Sequence, residues 1–291
     1  MVASCERERP VTTLNRLPQL TDGQFKQFSE LVYAKTGIYL KPGKKELLNA
    51  RLGKRLRACG LSSFRDYYDL VMRDTSGEEL INLINSVSTN FTSFFREQPH
   101  FDFLANTILP ELLNKAPAGP RELTIWSAAC SSGEEPYTIA MVMEEYLAAH
   151  PCPGLSYRVL ATDISTKVLA MAQQGVYPED RLAKVPAPIL KKYFQKGVRN
   201  AAGYVKVNKA LRQRLTLQRF NLMDEFPWRE SIDIIFCRNV MIYFNTETQQ
   251  ALVNKFHGSL VKGGYFFIGH SESISRLKHR FSQVAATFYR K

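Results

Sequence analysis

The sequence contains no apolar run near the roughly 20 residues that a helix needs to cross a bilayer. Its opening segment, MVASCERERP, lacks the apolar core of a secretory signal. These two absences set the expectation of a cytoplasmic protein without membrane insertion. Cysteine is scarce as well. Cys5, Cys59, Cys130, Cys152 and Cys237 are odd in number, and no two stand at a CxxC or metal-ligand spacing. That pattern argues against a disulfide framework and a structural zinc site, and for free thiols in a reducing compartment; no metal is expected. Internal repeats, low-complexity tracts and heptads are missing too, so the chain is expected to be a monomer.

What is present is ordinary for a folded protein: 291 residues, 45% hydrophobic and 23% charged, enough for one or two domains. The charge is not balanced. The formal net charge is +12, which favours an anionic partner. On charge alone, nucleic acid, an anionic membrane surface and an acidic protein all stay open. Much of the excess is concentrated: Lys41, Lys44, Lys45, Arg51, Lys54, Arg55 and Arg57 stand against a single acid, Glu46.

The first hundred residues read as helical. Thr21 or Asp22 caps a helix carrying Phe25, Phe28, Leu31 and Val32 on one face and ending near Gly37. Lys44 to Cys59 is a second, with Leu48, Leu52 and Leu56 as its buried stripe. Ser62 starts a third, bearing Phe64, Tyr67, Tyr68 and Val71. Ser76 and Glu79 form a capping-box pattern ahead of Leu80, Leu83, Ile84 and Val87. A fifth follows Pro99, with Phe101, Leu104, Ile108 and Leu112, and Lys115–Pro120 reads as a linker.

Beyond the linker, strands and helices alternate, which implies a mostly parallel sheet covered on both faces. The expected strands are Leu123–Ala129, Tyr157–Thr162, Arg214–Phe220, Ile232–Cys237 and Tyr265–Ile268, with a last one near Gln283–Tyr289. Helices are expected over Glu134–Ala149, from Ser165, and over Thr246–Leu260, after which Lys262-Gly-Gly turns the chain. A basic insert between Gly175 and Arg214 contains Tyr204-Val-Lys-Val207, a small antiparallel excursion.

Ligands of open α/β sheets bind outside the carboxyl ends of the strands. There the first strand leads into Ala129-Cys-Ser-Ser-Gly-Glu-Glu-Pro136, which is not a GxGxxG phosphate cradle. Gly133 lets backbone approach a ligand, while Glu134 would repel a pyrophosphate and suit a cation. Read alone, Glu134 equally complements a helix N-terminus. The second strand ends in Asp163, placed to accept hydrogen bonds from two ribose hydroxyls, or to cap the next helix. Together the two acids describe a nucleoside site that prefers a positive, phosphate-free ligand, and S-adenosylmethionine fits.

Four segments carry a family resemblance: Ser88-Thr-Asn-Phe-Thr-Ser-Phe-Phe-Arg-Glu97, Trp126-Ser-Ala-Ala-Cys-Ser-Ser-Gly-Glu-Glu-Pro-Tyr137, Phe236-Cys-Arg-Asn-Val-Met-Ile-Tyr-Phe244 and Gly269-His-Ser-Glu272. From about residue 20 to 290 the chain resembles the chemotaxis receptor glutamate methyltransferases, the CheR family. The resemblance implies an all-helical N-terminal domain (15–95), a linking helix and linker (96–120), and a Rossmann-like methyltransferase domain (121–291). A small antiparallel β-subdomain is inserted at about 176–213.

The resemblance also implies roles. Asn90, Thr92 and Arg96 belong to a segment closing over the cofactor S-adenosylmethionine. Glu134 takes its methionine end, Asp163 the ribose, Asn221 and Leu222 the adenine, with Arg238 and Asn239 as further cofactor contacts. Arg96 and Tyr243 position the acceptor carboxylate, and His270 is a structural hydrogen-bonder. The implied reaction yields glutamate methyl esters and S-adenosylhomocysteine. A carboxylate with a reference pKa of about 4.3 needs no base to deprotonate it, which explains why no triad stands out. Lys44, Arg51, Lys54 and Arg55 become a docking face for the glutamate-rich cytoplasmic methylation helices of chemoreceptors. Some members also tether the receptor's C-terminal peptide through a glycine-rich loop of the β-subdomain. Here Arg199 stands where one of those glycines is expected. A nucleic-acid substrate is not expected, because Arg238-Asn-Val-Met replaces the Asn/Asp-Pro-Pro-Tyr/Phe grip on an extruded base.

Overall fold

A computed structural model of the chain describes residues 18–114 and 120–291. The linker read at Lys115–Pro120 therefore lies outside the described residues except for Pro120, and so do Cys5 and the opening segment.

Four helices build the N-terminal unit: α1 (Asp22–Thr36), α2 (Lys45–Ala58), α3 (Phe64–Arg73) and α4 (Glu78–Val87). Thr21 and Gln24 close a reciprocal capping box on α1, and Gly37 ends it in the left-handed region at φ 72°. Phe28, Leu48, Leu52, Leu56, Phe64, Tyr67 and Leu83 interlock in a core of their own. Truncating Leu48, Leu52 or Leu56 to alanine should cost about 2–5 kcal/mol. The capping box expected for α4 does not form. Gly77 is its N-cap, and the Asp74 carboxylate takes the amides of Ser76 (2.9 Å) and Glu79 (2.7 Å) instead. A carboxylate outcompetes a hydroxyl for those donors.

The chain then runs through an arm, residues 88–98, into α5 (Pro99–Phe103). A π-helical turn (Leu104–Ile108) carries it on into α6 (Leu109–Asn114). Next come β1 (Arg121–Ala128), α7 (Glu134–Ala149), β2 (Leu155–Asp163) and α8 (Thr166–Gln174). The insert contributes β3 (Val176–Pro178), α9 (Ala187–Tyr193), β4 (Phe194–Lys196), β5 (Tyr204–Val207) and α10 (Lys209–Arg212). It folds into a separate three-stranded antiparallel sheet, in the order β3-β5-β4. The main sheet is completed by β6 (Leu215–Arg219), β7 (Ile232–Cys237), α11 (Thr246–Ser259), β8 (Leu260–Ile268), β9 (Ser282–Ala285) and β10 (Phe288–Arg290).

Its order is β6-β2-β1-β7-β8-β10-β9, parallel through β8 and antiparallel beyond. Period-two alternation feeds both faces: Leu123, Ile125, Phe236 and Phe267 enter one core, Trp126, Ile235, Phe266 and Ile268 the other. Two local expectations change. Lys262-Gly-Gly is no turn but an irregularity within β8, with Gly263 at φ 79° and the register against β7 slipping between Ile232 and Ile234. The expected last strand is a hairpin, β9 and β10. Because β1 leads to β2 on one side and β7 lies on the other, the direction of winding switches between β1 and β7. Their carboxyl ends mark the place for a ligand.

Candidate active site

At that switch point a cleft of about 1310 Å³, its open mouth included, lies between the helical unit and the sheet. Polar contacts span the two units beside it. The Tyr39 amide donates to the Tyr243 carbonyl (2.8 Å), and Asn221 Nδ2 to the Lys35 carbonyl (2.8 Å). Ser165 Oγ donates to Asn85 Oδ1 (2.7 Å).

The backbone is strained there. Among the described residues, seven non-glycines have positive φ; three of them, Ala129, Ser131 and Asn239, line this cleft, and two more, Phe95 and Glu97, flank its lining residue Arg96. Gly133 has φ 98°, and a Cβ on it would lie 2.8 Å from Ala172 Cβ and 2.9 Å from Tyr177 Oη. Only glycine satisfies both conditions.

Asp163 lines the floor. Its Oδ2 accepts the Ser131 amide and its Oδ1 the Ser165 amide, both at 2.9 Å. Burial pushes its pKa up, with the Ser165, Ser131 and Ile164 amides opposing. Each oxygen keeps a lone pair for a ligand hydroxyl.

Of the adjacent acids Glu134 and Glu135, the second lines the cleft. Glu134 is 0% exposed and does not line the cleft; Ser132 Oγ donates to its Oε2 (2.7 Å) and Arg181 Nη1 to its Oε1 (2.7 Å). Glu135 lines the cleft instead. Successive residues of a helix turn by about 100°, so one acid of the pair faces the inserted subdomain and the other the ligand space. Glu135 is held by Ser127 Oγ (2.6 Å) and Arg238 Nη1 (2.9 Å).

Arg238 and Asn239 also line the cleft; Arg238 bonds to protein through Nη1 and Nη2 while its Nε is buried without a partner. The Arg238 side chain is nearly fully buried, with Nη2 on Glu97 Oε2 (3.1 Å) and on the Arg96 carbonyl, and the guanidinium over the Phe101 ring. Asn239 Nδ2 donates to Glu97 Oε1 (3.1 Å). Burial opposes ionisation of Glu97, yet Arg238 and Asn239 outweigh it and keep its pKa below the usual carboxylate value. Glu272, buried, accepts the amides of Gly269, Asn239 and Met241 and so fixes the loop after β7. Among these, Glu97, Glu135 and Glu272 were assigned no role from the sequence, although all three stand inside the quoted motifs.

The arm supplies another wall. Asn90, Thr92 and Arg96 line the cleft, and the Asn90 carbonyl accepts Ser131 Oγ (3.1 Å). Arg96 does not pair with Glu97; its Nη1 donates to the Phe91 carbonyl (2.8 Å) and its guanidinium lies over the Phe91 ring. Tyr243 lines the cleft on the side of β7. Asn221 and Leu222 do too, together with Phe220, Ile164 and Val240, an apolar strip. The Asn221 side chain also accepts the Met223 amide (3.1 Å), so both its ends bond to backbone.

The proposed docking residues divide. Lys44 and Arg51 line the mouth, joined by Tyr39 and Leu47, which sequence reading did not single out. Arg51 is tied to the Val87 and Ser88 carbonyls and to Thr89 Oγ1 (3.2 Å); burial lowers its pKa while Tyr243 acts the other way. Lys54 is exposed. Arg55 is not part of a free cationic face. Its guanidinium grips Glu79 through two nitrogens (3.1 and 2.7 Å).

Two family models match this chain: the CheR methyltransferase all-alpha domain over residues 23–88, and the CheR methyltransferase SAM binding domain over residues 90–290. The chain belongs to the CheR methyltransferase family. It is a methyltransferase dependent on S-adenosylmethionine. Among its CheR relatives, the chemotaxis protein methyltransferase of Borreliella burgdorferi is 42% identical over 271 residues, covering 92% of this chain and 94% of that one. Chemotaxis protein methyltransferase 2 of Pseudomonas aeruginosa is 40% identical, covering 92% and 93%, and the Escherichia coli chemotaxis protein methyltransferase 38%, covering 93% and 91%. Among the described residues, no helix of this CheR chain is long and apolar enough to cross a membrane.

Proposed function

We propose that this enzyme transfers the methyl group of S-adenosylmethionine to glutamate side-chain carboxylates of chemoreceptors in the cytoplasm, giving methyl esters and S-adenosylhomocysteine. One observation carries the reading: the cleft has a carboxylate floor, Asp163 and Glu135, and basic and phenolic donors, Arg96 and Tyr243, along its walls. The floor favours a cationic nucleoside and disfavours a phosphate. The walls favour an incoming carboxylate.

The residues present fit S-adenosylmethionine. Asp163 offers lone pairs to the ribose, Glu135 opposes the positive end, and the strip of Ile164, Phe220, Leu222 and Val240 suits a flat base. When bound, the cofactor supplies a methyl group activated by its sulfonium. Arg96 and Tyr243 hold the acceptor oxygen that does not attack, orienting the other in line. Too tight a grip would blunt the nucleophile, so their work is positioning. The arm and the helical unit exclude water, removing hydration that stabilises the separated charges. Arg238 acts one layer out, holding Glu135 and the Arg96 carbonyl in place.

For the substrate, Lys44 at the mouth and the exposed Lys54 of α2 present charge to acidic methylation helices. Tethering of a receptor C-terminal peptide is supported by the β-subdomain loop. Arg199 holds φ 54°, in the left-handed region that glycine favours, so the backbone at this position is one a glycine would also adopt.

The test supplies S-adenosylmethionine with a labelled methyl group to receptor cytoplasmic fragments, DNA and RNA in parallel. Volatile label released from the receptor fragment by mild alkali is expected. Base-stable label on nucleic acid, or none anywhere despite cofactor binding, would overturn the assignment.

A further inference from the structure

On the far side of Arg238 from the cleft, Glu97, His100 and His270 converge, each offering a ligand atom, all within 4.8 Å of one another. We propose that these three side chains form a binding site for a divalent transition-metal ion of the zinc class. The central observation is His100. Its ring is 0% exposed, yet its Nδ1 has no hydrogen-bond partner and lies 3.4 Å from Glu97 Oε2. The other nitrogen, Nε2, is 2.8 Å from Thr287 Oγ1. The Thr287 hydroxyl can accept from Nε2–H or donate to a bare Nε2; in the first arrangement Nδ1 presents a bare lone pair to a carboxylate oxygen. Two electron-rich atoms then face each other in a buried place with no hydrogen between them, and a cation between them removes the repulsion. A hydrogen bond on the remote nitrogen is also the arrangement that orients metal-binding imidazoles.

The surroundings agree. The His270 ring lies 4.7 Å from that of His100, centroid to centroid, and its residue is exposed, so an ion has a path in and room for a water. Two carboxylates, Glu97 and Glu135, share the single guanidinium of Arg238, and a third, Glu272, accepts the amides of the adjoining Asn239 and of Gly269, so acids outnumber the one arginine. Two imidazoles and a carboxylate with an open fourth position suit zinc better than magnesium or calcium, which prefer all-oxygen shells. Arg238 Nη2 and the His270 amide are the rival occupants, since they already hold Glu97 Oε2 at 3.1 and 3.2 Å. An ion would share that carboxylate and bind the arm carrying Arg96 to the loop after β8.

The purified full-length chain, stripped with chelator, is titrated with Zn²⁺ by calorimetry and with Co²⁺ by absorption spectroscopy. One ion per chain is expected, with visible bands of a nitrogen–oxygen ligand set and no thiolate charge-transfer band. His270→Ala, an exposed change that leaves the fold intact by circular dichroism, should weaken binding at least tenfold, and His150→Ala should not. The proposal is overturned by no binding, by undiminished affinity in His270→Ala, or by a thiolate band that puts the ion on a cysteine. None of these readouts depends on the acceptor being a glutamate.

Discussion

Arg181 of the inserted subdomain reaches 2.7 Å from Glu134, a fully buried carboxylate in the first turn of α7. The pair joins the small β-sheet to the loop that floors the cofactor cleft, and Tyr177 Oη adds a second link by donating to the Ser132 carbonyl (2.7 Å). Removing the arginine strands a charge in the interior. Arg181→Ala should therefore cost up to about 3 kcal/mol, at the low end for a buried pair because the arginine is part-exposed. Arg181→Ala combined with Glu134→Gln should recover most of it. Chemical denaturation of the two variants checks the difference. Cofactor affinity should fall in the single variant alone, since Glu134 does not line the cleft.

Arg96 and Tyr243 are expected to separate binding from turnover. Tyr243→Phe should lower kcat by roughly 10–100-fold, the worth of one oriented hydrogen bond in the transition state, with cofactor Kd nearly unchanged. Arg96→Ala should do the same or more. Calorimetric titration with S-adenosylhomocysteine alongside initial rates gives both quantities. A parallel loss of cofactor affinity would move these residues from acceptor to cofactor.

Asp163 ties cofactor affinity to pH. Ribose binding uses the ionised carboxylate, and burial raises the pKa of Asp163, so acidification protonates it earlier than an exposed aspartate. Affinity should fall as pH drops, with a midpoint above the ordinary aspartate value of about 3.9. Asp163→Asn should start weak and lose that step. Kd for S-adenosylhomocysteine between neutral pH and the onset of acid unfolding measures it.

Receptor docking should be salt-sensitive through Lys44 and Lys54 and not through Arg55. Lys44→Glu and Lys54→Glu should raise KM for the receptor fragment and flatten its dependence on ionic strength. Arg55→Ala should lower stability instead, because it releases Glu79. The variants diverge clearly if KM and melting temperature are measured on each.

Most elements were legible because local rules act locally. The capping box at Thr21, the glycine stop at Gly37, the leucine stripe of α2 and the apolar runs of β1 and β7 each specify their own structure. What escaped depends on partners remote in sequence. Nothing in Glu134-Glu135 says which acid turns inward until Arg181 occupies one side and Arg238 the other. Arg55 looks like surface charge until Glu79 arrives from α4. Gly263 and Gly264 look like a turn because the slip of β8 against β7 involves another strand. Glu97 is only the last residue of a motif in the sequence, whereas its environment is assembled from Arg238, Asn239 and His270.

The roof of the cleft, with Tyr39, Lys44, Leu47 and Arg51, comes from the helical unit, and the floor comes from the sheet. Neither unit owns the site. Natural recombination at the arm between diverged relatives would therefore swap one wall of a shared room for a wall cut to another plan. The Tyr39–Tyr243 seam and the Asn221 bond to the end of α1 would have to match at once. Selection should keep the two units inherited as a pair, so that their sequences drift in step across the seam more than within either core.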